Sequence, residues 1–226
     1  MSLTYWDFAT DEHIAIRASG DYSVLVPRDN LVAYGTDGVF DDSDRWTLTS
    51  ATVDPDARGV RAGCCCLLTK PTANYRSSGV LLAVSSVATG SMTLRRRGQS
   101  AGVGEPPGPA AGLTGVEFAV YSFAPEIEDA YDELRRRFGI DDRIAGRGSG
   151  SLWDERELRQ ALVLTVLSRA YLTAARMAGS QSDDFAAKAK LYRLELDDVL
   201  GRIAVHFDGV EEPAAVVRSF GARLQR

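Results

Sequence analysis

Histidine is almost missing from this sequence: 226 residues contain two, His13 and His206. That scarcity withholds the usual general base and the commonest metal ligand, and it argues against most hydrolase chemistry. Cysteine is nearly as sparse, and its three copies are contiguous at Cys64, Cys65 and Cys66. Contiguous cysteines provide no spaced pairs for a disulfide framework and lack the C-x-x-C spacing with which two thiolates meet one zinc. They read as small buried strand residues in a reducing compartment, with Cys65 turned to the opposite face from its neighbours. Long apolar runs are absent too. The stretch Ala161–Leu167 is interrupted by Thr165, far short of the roughly twenty residues a membrane-spanning helix requires, so no membrane partner is expected. The opening Met-Ser-Leu-Thr-Tyr-Trp-Asp lacks the basic and apolar regions of a secretory signal, and export is not expected. A positive balance is lacking as well: 26 basic against 31 acidic residues leave a net charge of −5, which gives no overall pull toward nucleic acid or anionic lipid.

The short motifs of catalysis are also missing. There is no G-x-x-x-x-G-K-S/T, no G-x-S-x-G and no H-E-x-x-H, which excludes P-loop enzymes, serine hydrolases of that type and zincins. Gly102-Val103-Gly104 lies in a proline-rich loop with no helix opening behind it, so it does not meet the strand-to-helix setting of a phosphate loop. The expectation is a non-enzyme with no cofactor, no metal and no catalytic residues.

What is present is an ordinary globular composition, 45% hydrophobic and 25% charged, in a chain long enough for one sizeable domain or two small ones. The hydrophobic period changes from two to nearly four close to residue 120. Before that point lie short branched and aromatic runs: Ser23–Val26, Arg45–Thr49, Cys64–Thr69, Val80–Val84, Met92–Leu94 and Val116–Val120. Turn signals such as Thr36-Asp37-Gly38, Asp54-Pro55-Asp56 and Thr89-Gly90 separate them. The pattern predicts an α+β chain. A small antiparallel β-barrel or sandwich-like module occupies 1–120, with an N-terminal extension over 1–20 and a linker over 100–115. The stretch Gly102–Gly115, with Pro106, Pro107 and Pro109 among five glycines, cannot sustain a helix or a central strand.

Helices follow, over 121–207. Pro125 suits a first turn, and Ile127, Tyr131, Leu134 and Phe138 recur at spacings of four, three and four before a capping Gly139. After the loop Gly146–Ser151 a second helix runs from near Trp153 or Asp154 to about Met177. Its apolar residues go right round across Ala161–Leu167, so it needs cover on several sides. Neighbouring subunits would supply that cover, along a seam of Ala161, Leu164, Ser168, Tyr171 and Ala175. The turn Gly179–Ser182 leads into a third helix whose Phe185, Ala189, Tyr192, Leu196, Val199 and Ile203 form one stripe, with Arg193/Asp197 and Asp198/Arg202 able to pair opposite it. These three segments predict a three-helix bundle with a long helical hairpin. His206 continues the stripe as an interface or core residue. Residues 208–226 read as an extended docking tail whose apolar group is Val216, Val217, Phe220 and Leu224.

The acidic clusters Asp37/Asp41/Asp42/Asp44 and Asp183/Asp184 sit at a turn and at a helix start, where solvated turn and cap roles outweigh a paired-acid or metal site. The runs Arg95–Arg97 and Arg135–Arg137 belong to a general arginine bias, 23 Arg against 3 Lys, and read as a solvated face or as ion pairs between subunits.

The helical half resembles the head-tail connector, or adaptor, proteins of tailed bacteriophages. The resemblance covers about residues 125–207 and is carried by Glu126–Leu134, Arg156–Ala161, Tyr171–Arg176 and Asp184–Leu196, the last with an aromatic and a Tyr-x-x-Glu stretch. It implies a structural virion protein of the neck, assembled in the host cytoplasm as a homo-oligomeric ring, generally twelve-fold. Such a ring sits between the portal protein and a downstream neck or tail protein and extends the DNA channel without reading sequence. By the same resemblance the portal and subunit interface would use Leu164, Tyr171, His206, Phe207, Val216, Val217, Phe220 and Leu224. The β-rich residues before the first helix depart from the plainest adaptors, which are nearly all helical. Other readings are another neck or tail-completion (stopper) protein, or a cytoplasmic enzyme or small-molecule-binding protein with a pocket around Trp46, Tyr75 and the acidic turn.

Overall fold

The computed structural model describes residues 4–41, 43–75, 79–108, 110, 112–144, 155–177 and 182–203. The loop 146–151, the turn 179–181 and the tail 208–226 expected from the sequence lie outside these residues. The chain divides into two compact units, residues 10–125 with 173–182, and residues 1–9, 126–172 and 183–226.

The first unit is a closed antiparallel barrel of six strands: β1 (Leu31–Phe40), β2 (Thr47–Thr49), β3 (Cys65–Lys70), β4 (Val80–Ala88), β5 (Ser91–Arg95) and β6 (Val116–Tyr121), arranged β1-β2-β5-β4-β3-β6. Alternation sends Phe40, Leu48, Cys66, Leu68, Leu82, Val84, Met92, Leu94, Phe118 and Val120 to the interior, each no more than 2% exposed. Burying an aliphatic or aromatic side chain of this size is worth about 1.5–3 kcal/mol, so this ladder dominates the stability of the unit. Five of the six expected apolar runs are strands. Ser23–Val26 is not: Tyr22–Leu25 forms a single helical turn, because a turn places Tyr22 and Leu25, both buried, on one side, whereas a strand would place them on opposite faces.

The strand that the sequence reading missed is β1. Its Thr36-Asp37-Gly38 signal marks a break in register between Gly35 and Gly38 inside the strand, not a turn. Gly35 lies opposite Phe118, and a Cβ there would fall 2.5 Å from the Phe118 ring. The glycine exists to admit the ring. Asp37 accepts hydrogen bonds from Ser50 Oγ at 2.7 Å and from the amides of Ala51 and Thr52 at 3.0 Å, and these hold its carboxyl below the usual carboxylate range. It organises the loop that leaves β2.

The segment 100–115, expected as a linker or extended loop, joins β5 to β6 and packs against the barrel. Pro107 and Gly108 are buried. The Gly108 amide donates to Arg45 O at 3.1 Å, Phe40 N to Leu113 O at 3.0 Å, and the Tyr75 hydroxyl to Pro107 O at 3.1 Å. Glycine is needed at 108 because the backbone there approaches Phe40 too closely for a side chain.

Residues 1–20, read as one extension, are helical in part and divided between the units. Helix α1 (Tyr5–Phe8) belongs to the second unit, where the Phe8 ring lies 5.2 Å from that of Tyr131 and Arg159 Nε donates to Phe8 O. Helix α2 (Asp11–Arg17) and the turn α3 (Tyr22–Leu25) belong to the barrel unit.

The remaining helices are α4 (Ala124–Phe138), α5 (Glu155–Met177) and α6 (Ser182–Arg202). Gly139 ends α4 with φ of 66°, the left-handed cap that the sequence signals. Arg169 of α5 pairs with both Asp129 and Glu133 of α4. Tyr171 of α5 stacks on Tyr192 of α6 at 5.4 Å and tilts against Phe185 at 5.9 Å. The expected Arg193–Asp197 and Arg202–Asp198 pairs form. Such solvent-facing pairs each contribute only about 0.3–0.5 kcal/mol, so α6 owes its placement to Phe185, Ala189, Leu196, Val199 and Ile203, all buried.

Gly35→Ala is expected to lower barrel stability by about 1–3 kcal/mol, the usual cost of overpacking a filled core. Urea denaturation measures it, and the double variant Gly35→Ala/Phe118→Leu should recover part of the loss.

Candidate functional site

No constellation of catalytic groups converges among the described residues, and no group of three or more His, Cys, Asp or Glu side chains there is placed to hold a metal ion. His13 stands third in α2 and accepts the Thr10 amide on Nδ1 at 3.1 Å, completing a capping box. Asp41 accepts from the Ser43 amide and hydroxyl, both at 2.6 Å, as an exposed turn residue does. Tyr75 is 4% exposed, and its hydroxyl is taken by Pro107. It therefore lines no open pocket with Trp46. The cysteines are free and buried, and burial pushes the Cys64 thiol up to about 12 and that of Cys66 further. Thiols so far from ionisation are poor nucleophiles.

The two arginine runs make intrachain bonds. Arg95 pairs with buried Glu12 and donates to Gln99 O, Arg97 donates to Ala15 O at 2.6 Å, and Arg96 donates to Glu105 O at 3.0 Å. Arg95–Arg97 thereby ties α2 and the β5–β6 loop to the barrel, a role invisible in a run of like charges. In the helical unit Arg135 reaches Asp142 at 2.7 Å.

The predicted interface residues separate into two groups. Leu164 and Tyr171 are 0% and 1% exposed in the single chain, so they are core residues and not available surface. Ala161–Ser168 are all buried in the single chain. His206, Phe207, Val216, Val217, Phe220 and Leu224 lie outside the described residues. Exposed apolar side chains occur at places the sequence reading did not single out: Leu191 and Leu194 of α6 are 54% and 59% exposed, and Leu172 of α5 is 46% exposed. Leu191 and Leu194, three apart, share a face away from the buried stripe. A helix with apolar residues on both faces is a legible signal, but the stronger stripe of α6 hides it.

The most unusual electrostatic feature is Asp11, at the first position of α2. It is 0% exposed. Oδ1 accepts the Phe123 amide at 2.6 Å, while Oδ2, like the hydroxyl of buried Tyr22 nearby, lies in hydrogen-bonding geometry with no described group. Burial raises the carboxyl to about 7, against the lowering influence of the Phe123 amide, Ser122, Cys64 and Arg61. Sequence reading missed this residue because an aspartate in a first helical turn is ordinarily a solvated partner of the helix dipole. No family model, curated protein or solved structure matches the chain.

The sign of the resulting pH dependence is fixed. Between the ordinary value of 3.8 and about 7, the unfolded chain releases the Asp11 proton and the folded chain keeps it. Stability therefore declines as pH rises through that window and levels off above it. Asp37, Asp41 and Glu117, lowered in the fold, act below it. Urea titrations at pH 3, 5 and 8 should show the stability of Asp11→Asn relative to the native chain increasing from pH 3 to pH 5 and again to pH 8.

Proposed function

We propose that the chain is a structural virion component, a head-to-tail adaptor of a tailed bacteriophage or phage-like particle. In this reading copies form a ring, generally twelve-fold, between the portal and the neck or tail proteins, and the ring extends the DNA channel. Helices α4, α5 and α6 form its three-helix bundle, with α5 and α6 as the long hairpin, and residues 208–226 dock on the portal. The barrel is an added module that contacts tail, capsid or decoration proteins.

The observation that carries the reading is α6: a helix whose inner stripe is buried still presents Leu191 and Leu194 at more than half exposure, apolar area suited to a neighbouring copy. Because Leu164 and Tyr171 are core, the seam between copies lies on this outer face. The absence of converging catalytic groups among the described residues fits a structural role, and a net charge of −5 suits a conduit that must not grip phosphates.

The test is co-expression with proteins encoded beside it, followed by light scattering and negative-stain imaging. A ring stacked on a portal-like neighbour is expected. Leu191→Asp/Leu194→Asp should abolish the ring and leave the circular dichroism and melting temperature of the single chain nearly unchanged. A strict monomer in the presence of that neighbour, or a ring indifferent to the double substitution, overturns the proposal.

A further inference from the structure

Residues 10–25 lie against the outer face of the barrel through contacts of unequal quality. Some are well made. The Glu12 amide donates to Gly63 O at 3.0 Å, Glu12 Oε1 accepts the Gly98 amide at 2.9 Å while Oε2 pairs with Arg95, and Arg97 holds Ala15 O. Ile14 and Ala15 are fully buried, and the Tyr22 ring meets Phe123 edge-on at 5.5 Å. Gly63, at φ of 91°, leaves the space in which Thr10 sits: a Cβ there would fall 2.7 Å from the Thr10 side chain. Against these stands the buried corner made by Asp11 and Tyr22, where Oδ2 and the phenol oxygen lie in hydrogen-bonding geometry with no described group. A neutral carboxyl tolerates that corner, but a carboxylate brings a charge into it, and the Phe123 amide, Ser122, Cys64 and Arg61 offset only part of the desolvation.

We propose that residues 10–25 are a proton-controlled latch on the barrel, seated while Asp11 carries its proton and loosened as Asp11 ionises, opening the outer face of β3 at Cys65. The site is suited to titration near neutrality. The other titratable and charged groups at this interface are accounted for. Tyr22 faces Asp11 from α3, and its phenol is pushed far up by burial. Cys64 and Cys65 face it from the start of β3 and are pushed up likewise. Arg61 faces it from the preceding loop. Arg95 and Arg97 are bound to Glu12 and Ala15, and Glu12 itself is held by Arg95 and Gly98. His13 Nδ1 accepts the Thr10 amide.

The latch is testable by hydrogen exchange with mass spectrometry, with rates corrected for the intrinsic pH dependence. In the native chain, protection of residues 11–17 should fall between pH 5 and 7, by up to about tenfold per pH unit at the limit set by proton linkage, and should stay below that of β4 and β5 throughout. In Asp11→Asn the fall should vanish. Gly63→Ala, which pushes Thr10 off its seat, should reduce protection over 11–17 at every pH. Protection independent of pH in the native chain, the same fall in Asp11→Asn, or protection over 11–17 equal to that of β4 and β5 at every pH would each overturn the latch. Should Asp11→Asn not fold, the carbon-13 carboxyl titration of Asp11 in the native chain decides: a midpoint below pH 5 ends the proposal.

Discussion

Strand β6 is the constraint on which the barrel depends. It pairs with β1 on one side and β3 on the other, and its Val116, Phe118, Ala119 and Val120 are buried. Without it the sheet is an open five-strand ribbon with two unpaired edges. Its register also forces other choices. Phe118 requires Gly35 opposite, and Val120 faces Cys66 on one neighbour and Ala33 on the other. Where β6 ends, the Phe123 amide has no strand to donate to and is taken by Asp11. The last turn of the barrel is therefore closed by a side chain from near the beginning of the described chain.

That closure explains why a carboxylic acid is tolerated where no water-exposed route exists. A buried backbone amide left unpaired costs about 1–3 kcal/mol, and one Asp11 oxygen removes that cost. The other oxygen lies in hydrogen-bonding geometry with no described group, so the arrangement suits the protonated form and disfavours the ionised one. Neighbouring Glu12 has the reverse solution: a carboxylate kept buried because Arg95 and the Gly98 amide both meet it. Two adjacent acids in one helix thus have opposite electrostatic circumstances, decided by which face of α2 meets which loop.

Several features were legible from residue order because they depend on local geometry. Period-two runs identified five strands, Gly139 identified the end of α4, and the i,i+4 charge pairs of α6 form as spaced. The failures share a cause. Thr36-Asp37-Gly38 has turn chemistry, yet in β1 the glycines admit Phe118 and the aspartate reaches the loop after β2. The α5 seam has interface chemistry, yet Tyr171 meets Tyr192 and Phe185 of the same chain. In each case a residue type was read correctly and its partner, remote in sequence, was not available.

The adaptor proposal rests on the side of the molecule where this distinction matters most. Sequence alone determined that the chain would be α+β, with a β-rich first half and helices after residue 120. These follow from periodicity and composition, which act within a few residues. Tertiary structure alone decided that the sheet closes, that Ala161–Ser168 are buried in the single chain, that Leu191 and Leu194 are left outside, and that Asp11 is sealed against Phe123. Those outcomes depend on contacts between residues remote in the sequence, 112 apart for Asp11 and Phe123, and solvent exclusion, which sets both the packing and the pKa, exists only once such contacts have formed.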